Sequence, residues 1–261
     1  MRRAKRFLFV LLAILAGCGG GSFPPASDPA ARIEKADEYL ERGKKREALE
    51  AYRVIAGAYP GTEWEERARI GIARAYRAQE DYPAAVLEYQ DFQRRHPRSD
   101  LVDDAAFEIG LCYAEQRKKP QLDQEWNEKA LDQWNAFLAR FPDSDLAERA
   151  REERLKARTH FARKAVLNGI TYRKLRRYEA ARFYFMIVIE DYTDTPVVAE
   201  ALYETGWTYE RQKEYAAALE SYRRVEEEHP ETEWAEKAKK RLREVARRLS
   251  DEPVTGGEED S

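Results

Sequence analysis

The sequence predicts an all-α fold: a solenoid of five helix-pair repeats closed by a C-terminal capping helix. Three observations predict it. One frame of residues recurs five times, a shorter signature precedes each copy, and the composition is 36% charged and 11% aromatic, as suits an array with many solvated faces. The frame is clearest at Ala218, Tyr222, Val225, His229, Pro230, Thr232 and Ala238. It recurs at Ala48, Tyr52, Ile55, Tyr59, Pro60, Thr62 and Ala68, and at Ala85, Tyr89, Phe92, His96, Pro97, Ser99 and Ala105. The third copy is Ala130, Trp134, Phe137, Phe141, Pro142, Ser144 and Ala150. The fourth is Ala181, Phe185, Val188, Tyr192, Thr193 in place of proline, Thr195 and Ala201. Small, aromatic, branched and aromatic residues at i, i+4, i+7 and i+11 form one stripe on an α-helix. The proline then stops that helix. Ser or Thr two residues on is placed to cap the next one, and Thr62 with Glu65 has capping-box spacing.

The second signature is a small residue with tyrosine three positions on: Ala36 and Tyr39, Ala73 and Tyr76, Gly110 and Tyr113, Gly169 and Tyr172, Gly206 and Tyr209. A small residue lets the partner helix approach, with the tyrosine filling the gap beside it. Two helices per unit, small residues at their crossing and a terminal proline make the tetratricopeptide (TPR) pattern. Such arrays stack into a superhelix with a concave face.

The elements follow in order. Arg2, Arg3, Lys5 and Arg6 precede an apolar run of ten, Phe7 to Ala16, too short to span a bilayer and suited to a secretory signal over residues 1–17. Residues 18–32, rich in Gly, Ser, Pro and Ala, read as a flexible tether. The repeats cover about 33–60, 63–97, 100–142, 145–193 and 196–230, and the capping helix 233–249, so the solenoid spans 33–249. Eight extra residues around Lys118 to Glu125 enlarge the turn inside repeat three. Fourteen more lie between repeats three and four, where no Pro or Gly interrupts 146–168, and predict one long helix. The acidic tail, 250–261, reads as disordered.

Nothing in the chain has the spacing of a metal site, a nucleophile elbow or a phosphate loop, which points to a non-enzymatic scaffold without cofactors. Cys112 reads as a buried structural thiol, His96 and His229 as packing residues, and His160 as a lone histidine on the long helix. Four of the 46 basic residues fall in the leader, leaving 42 against 49 acidic, which gives nucleic acid no electrostatic footing. Arg173, Lys174, Arg176 and Arg177 suit the C-terminal end of a helix dipole. In the TPR frame, positions three before, one after and four after the small residue usually face the concave side. They give Ile70, Arg74 and Arg77, then Phe107, Leu111 and Ala114, then Tyr203, Trp207 and Glu210. Arginines beside apolar side chains suit an extended peptide ending in an aromatic residue and a carboxylate.

Two resemblances add to this reading. Leu15-Ala16-Gly17-Cys18 resembles the bacterial lipobox, which implies cleavage after Gly17 and acylation of Cys18 as the lipid anchor. Two or more acyl chains anchor stably where one does not, and Gly19 rather than Asp after the cysteine implies sorting to the outer membrane. Nearly the whole mature chain, apart from the acidic tail from Asp251, resembles the BamD family of TPR lipoproteins. The similarity is carried by Asp123-Gln124-Glu125, by Phe137-Leu138-Ala139-Arg140-Phe141-Pro142-Asp143-Ser144 and by Glu190-Asp191-Tyr192-Thr193-Asp194-Thr195-Pro196. That resemblance implies a periplasm-facing scaffold of the β-barrel assembly machinery. Its N-terminal groove (Ile70, Arg74, Arg77, Phe107, Leu111) is expected to receive C-terminal segments of unfolded outer-membrane proteins. Its repeats four and five (Arg173, Tyr203, Trp207) are expected to dock a BamA-like barrel subunit, alongside the machine's other lipoproteins. A TPR lipoprotein that coordinates peptidoglycan machinery, or a secretin pilotin, is the alternative.

Overall fold

The computed structural model describes residues 28–251. Among them are eleven α-helices and no strand: α1 (Pro29–Glu41), α2 (Lys45–Ala58), α3 (Glu63–Ala78), α4 (Tyr82–Arg95), α5 (Val102–Glu115), α6 (Glu125–Arg140), α7 (Ala147–Lys174), α8 (Tyr178–Asp191), α9 (Val198–Arg211), α10 (Tyr215–Glu228) and α11 (Glu233–Asp251). The predicted signal with Gly17, the predicted acylation site Cys18, most of the tether and residues 252–261 lie outside the described residues, while Ser250 and Asp251, expected in the acidic tail, close α11 instead. The tether was expected to reach residue 32, but α1 already starts at Pro29. Asp28 Oδ1 accepts a hydrogen bond from the Ala31 amide at 2.9 Å, and proline at the first helical position needs no donor.

Each helix packs on its neighbours in sequence, and the first helices of successive repeats also meet where α1 packs on α3, α7 on α9 and α9 on α11. The glycines of the second signature explain the close crossings. A Cβ on Gly110 would lie 2.4 Å from the Trp134 ring, one on Gly169 2.4 Å from Phe185, and one on Gly206 2.8 Å from Tyr222. The aromatic of the partner helix therefore sits on the glycine. The tyrosine three residues on packs half-buried against the cores in four repeats (Tyr39, Tyr76, Tyr113 and Tyr209), and Tyr113 also stacks on Trp126 while Tyr209 lies under Arg182. Its carbonyl closes the turn: the amides of Lys44, Asp81, Arg177 and Glu214 donate to the carbonyls of Tyr39, Tyr76, Tyr172 and Tyr209 at 2.8–3.0 Å. The residue before each of those donors has positive φ: Gly43 at 72°, Glu80 at 65°, Arg176 at 58° and Lys213 at 65°. This is the left-handed residue that ends many helices.

The Ser and Thr residues mostly staple turns instead of capping helices. Thr62, Thr195 and Thr232 donate to the carbonyls of Tyr59, Tyr192 and His229 at 2.7–2.8 Å. Ser99 and Ser144 donate to Glu66 and Asp103 of the preceding repeat, both at 2.6 Å. Only Thr232 also accepts from the amide three residues on, Ala235, at 3.3 Å. The Thr62–Glu65 box is incomplete, because Glu65 accepts from the Gly61 amide instead.

The insertion in repeat three is organised by buried Gln124, whose amide lies within hydrogen-bond reach of the carbonyls of Lys119, Pro120 and Leu122 at 2.9–3.2 Å. Buried Asn127 donates to the Ala157 carbonyl at 3.0 Å and ties α6 to α7. The long helix exists as α7, 28 residues, and contributes to two cores: Ala150 packs with Phe107, Trp134 and Phe137, while Ala162 and Val166 pack with Phe185, Leu202 and Tyr222.

At Thr193, where the frame lacks its proline, α8 still ends at Asp191. Arg158, on the extended part of α7, holds Asp194 through two hydrogen bonds of 2.8 Å and the Asp191 carbonyl at 2.7 Å, and lies over the Tyr192 ring. The Arg158 hydrogen bond holds the Asp194 carboxyl below its usual range. A carboxyl depressed in the folded state stabilises above its unfolded pKa and loses that contribution as pH falls through the folded one. The stability difference between wild type and Arg158→Ala is therefore expected to be full near neutrality and to shrink in thermal melts below about pH 4.

Candidate functional site

A groove runs along the inner helices of repeats one to three. Ala30, Ile33, Asp37, Trp64 and Arg67 line its outer part, and Ile33, Asp37 and Arg67 continue into a second part with Ile70, Arg74 and Leu101. Arg74 carries over into a third, with Leu40, Arg77, Tyr82, Glu108 and Glu115. The walls come from α1 and α3, whose second-signature residues Ala36 and Ala73 are fully buried, while Ile33, Asp37, Leu40, Ile70, Arg74 and Arg77 line the groove.

The two arginines differ. Arg77 bonds Glu108 and reaches Glu115 through Nη2 at 2.7 Å and Nε at 3.1 Å, clamping α3 to α5. Opposite charges at that range outweigh the cost of its partial burial and raise its pKa. Arg74 is exposed, and no ion pair or hydrogen bond engages its guanidinium among the described residues. Its field reaches half-buried Asp104, whose carboxyl burial raises and Arg74 opposes, and Asp37, also on the groove, is occupied by the Tyr52 hydroxyl. Arg74 is thus the groove arginine without a partner among the described residues.

Sequence reasoning grouped five residues here, and the structure unites only some of them. Ile70 is 3% exposed and forms part of the floor beside Arg74. Phe107, 2% exposed, is core: it packs on Trp134 at 5.1 Å and Phe137 at 5.8 Å, with Arg149 over its ring at 4.8 Å. Leu111 packs half-buried against that same cluster. Leu40, Ile33 and Leu101 supply the apolar walls instead, and the same frame offsets applied to Ala36 pick out Ile33, Asp37 and Leu40.

In the C-terminal repeats, Arg173 bonds Glu204 at 2.6 Å and lies over Trp207 at 4.8 Å, with Tyr178 edge-on to the indole at 6.1 Å. Burial raises the Glu204 carboxyl, and Arg173 opposes that rise. So Arg173 and Trp207 meet. Tyr203 sits apart, between Tyr222 at 5.5 Å and Trp234 at 5.2 Å, in the packing of α10 and α11. Arg173 is thereby committed to α9 and is more than a partner of the helix dipole. Cys112 is fully buried and burial pushes its thiol up to about 12, which leaves it unreactive. His96 stacks on Phe92 at 5.1 Å. Half-buried His160 has its pKa lowered by burial and by Arg117.

Helix pairs stacked around aromatic-on-glycine crossings, with an open groove along the first helices, define a TPR scaffold. The family model described as outer membrane lipoprotein, YfiO, matches residues 25–211, and a tetratricopeptide-repeat model matches 200–232. The chain belongs to the YfiO family of outer membrane lipoproteins, and it is a scaffold, not an enzyme. A curated relative, the outer membrane protein assembly factor BamD of Caulobacter vibrioides, is 26% identical over 205 residues, covering 77% of this chain and 67% of its own. Among solved structures, the TPR2AB domain of yeast Sti1 in its pHSP90 complex is 16% identical with a TM-score of 0.45, covering 87% of both chains. The TPR protein YrrB is 20% identical with a TM-score of 0.36, over 82% of this chain and 92% of its own. Among the described residues, no helix is long and apolar enough to cross a membrane.

Proposed function

We propose that the protein assists assembly of outer-membrane β-barrel proteins, as the name of its Caulobacter relative describes. In this reading it is anchored through acylated Cys18 and faces the periplasm. The groove along α1 and α3 receives the C-terminal segment of an unfolded barrel protein. Repeats four and five, around Arg173 and Trp207, dock a BamA-like subunit. The observation that carries the peptide reading is Arg74: an exposed guanidinium without a carboxylate partner, flanked by Ile33, Leu40, Ile70 and Leu101. A terminal carboxylate suits the cation, and an aromatic side chain suits the apolar wall.

The test is fluorescence anisotropy of the full chain with a labelled peptide ending in phenylalanine. Arg74→Glu is expected to weaken binding about 10- to 100-fold, the scale of one charge-assisted hydrogen bond and the repulsion that replaces it. A C-terminal carboxamide on the peptide is expected to lose a similar factor. Arg95→Glu, on the far end of α4 and paired with Asp91, is the control expected to leave binding unchanged. Equal affinity of wild type and Arg74→Glu rejects the groove. Co-purification of the barrel subunit with a Trp207→Ala variant, undiminished, rejects the docking surface and leaves the groove standing.

A further inference from the structure

The five repeats supply their own reference for what each frame position carries when it faces water. Two and five residues after the first-frame alanine, repeat one has Glu50 and Arg53, which pair at 2.8 Å, and repeat five has Glu220 and Arg223, which pair at 3.2 Å. Repeat three has Asp132 and Asn135, and repeat two has Leu87 and Gln90. Repeat four alone has two apolar residues there, Phe183 and Met186, and both are exposed, Phe183 at 64%. A second frame position agrees. Three residues after the signature tyrosine stand Arg42, Gln79, Gln116 and Gln212 in the other repeats, but Leu175 in repeat four, again 64% exposed.

These side chains share the α7–α8 hairpin. Tyr172, near the end of α7, stacks on Tyr184 of α8 at 5.3 Å, and Phe183 meets Tyr184 edge-on at 5.5 Å. The surroundings are cationic. From Tyr172 to Met186 there are five basic residues (Arg173, Lys174, Arg176, Arg177 and Arg182) and one acidic residue, Glu179. Arg173 and Arg182 are engaged with α9 and the turn after it. Lys174, Arg176 and Arg177 are exposed and form no ion pair among the described residues.

We infer that the α7–α8 hairpin of repeat four is a membrane-contact surface that seats on an anionic phospholipid bilayer. Exposed aromatic and aliphatic side chains enter the boundary between headgroups and acyl chains, while the unpaired cations meet the phosphates. A protein partner of matching chemistry needs an acidic rim around an apolar pocket. A bilayer presents that combination everywhere, and an outer membrane lipoprotein has one within reach. The inference rests on the family and on the repeat comparison, and it is independent of peptide binding along α1 and α3.

The experiment places a nitroxide label on the full chain at Phe183→Cys and, separately, at the matching repeat-one position Glu50→Cys. Buried Cys112 is the same in both. Collision rates with oxygen and with a water-soluble nickel complex are compared in vesicles of phosphatidylcholine alone and of phosphatidylcholine with phosphatidylglycerol. The expected result is a severalfold rise in the oxygen-to-nickel ratio at residue 183 in anionic vesicles, none at residue 50, and loss of that rise in Arg176→Glu/Arg177→Glu. An aqueous ratio at residue 183 in both vesicles overturns the inference. So does shielding from both reagents that appears without lipid and grows with protein concentration, which marks a second copy, or shielding that needs an added protein subunit. The helical circular-dichroism signal and thermal melt of the same variants report whether the fold is kept.

Discussion

Gly110→Ala is expected to destabilise the protein by about 2–3 kcal/mol, the upper part of the range for overpacking a filled core. Alanine gains up to ~1 kcal/mol over glycine in helix propensity, so the sign depends on the clash. The added methyl meets the Trp134 ring at 2.4 Å, and Trp134 is fully buried against Phe107. The indole has nowhere to go, and the clash wins. Gly57→Ala is the matched control: it is also helical, in α2, and an added Cβ meets nothing within 4 Å. That variant is expected to be neutral or stabilised by up to ~1 kcal/mol. Urea unfolding of the pair decides the matter. Equal midpoints for Gly110→Ala and wild type would mean that the crossing is looser than the structure has it.

Glu210→Ala is expected to cost about 3 kcal/mol and to release α11 before the rest of the chain. The Glu210 side chain is 2% exposed and takes hydrogen bonds from Arg241, from Arg248 at 3.0 Å and from the Tyr222 hydroxyl at 3.2 Å. One carboxylate therefore joins α9, α10 and α11. Removing one partner of a buried ion pair costs about 3–5 kcal/mol, because the other charge stays behind. The lower end applies here, since Arg248 is 54% exposed and recovers water. Repeat arrays are held by nearest-neighbour interfaces, so hydrogen exchange should quicken in α11 and α10 and stay unchanged from α1 to α6. Glu210→Leu combined with Arg241→Met, which removes both charges, is expected to restore most of the loss. Persistence of the full loss in the double variant would point to packing, not charge, as the cause.

The architecture was legible because every repeat states the same periods, and the turn after Tyr192 survives without its proline because Arg158 holds it. The groove was harder to see for a reason that the frame offsets make plain. The residue three before the small residue is core in Ile70, Phe107 and Val166, at 3%, 2% and 0% exposed. The residue four after it carries the ion pairs between successive first helices: Arg77 to Glu108, Arg173 to Glu204, Glu210 to Arg241. Between those two, the residue one after it varies: Arg74 is exposed and without a partner among the described residues, Asp37 accepts from the Tyr52 hydroxyl, Leu111 packs on a core and Trp207 lies under Arg173. A sequence shows which side of a helix is polar or apolar, but not which neighbouring helix covers it. Phe107 therefore looked like a groove residue until α6 was seen against it. Leu175, Phe183 and Met186 were written in the sequence throughout, and reading them needed only the same position compared across repeats.

The double membership of α7 has a mechanical consequence. Its first turn belongs to the core of repeat three and its later turns to that of repeats four and five, so one rod of about 42 Å carries the link between two separately packed halves. A helix is stiff along its axis and yields slightly in bending and twist. Bending or twisting of that rod is expected to turn the proposed peptide groove relative to the proposed docking surface around Arg173 and Trp207 while both cores stay packed. The spacing of the two ends is thus fixed by the length of α7, and their relative angle is set by its curvature.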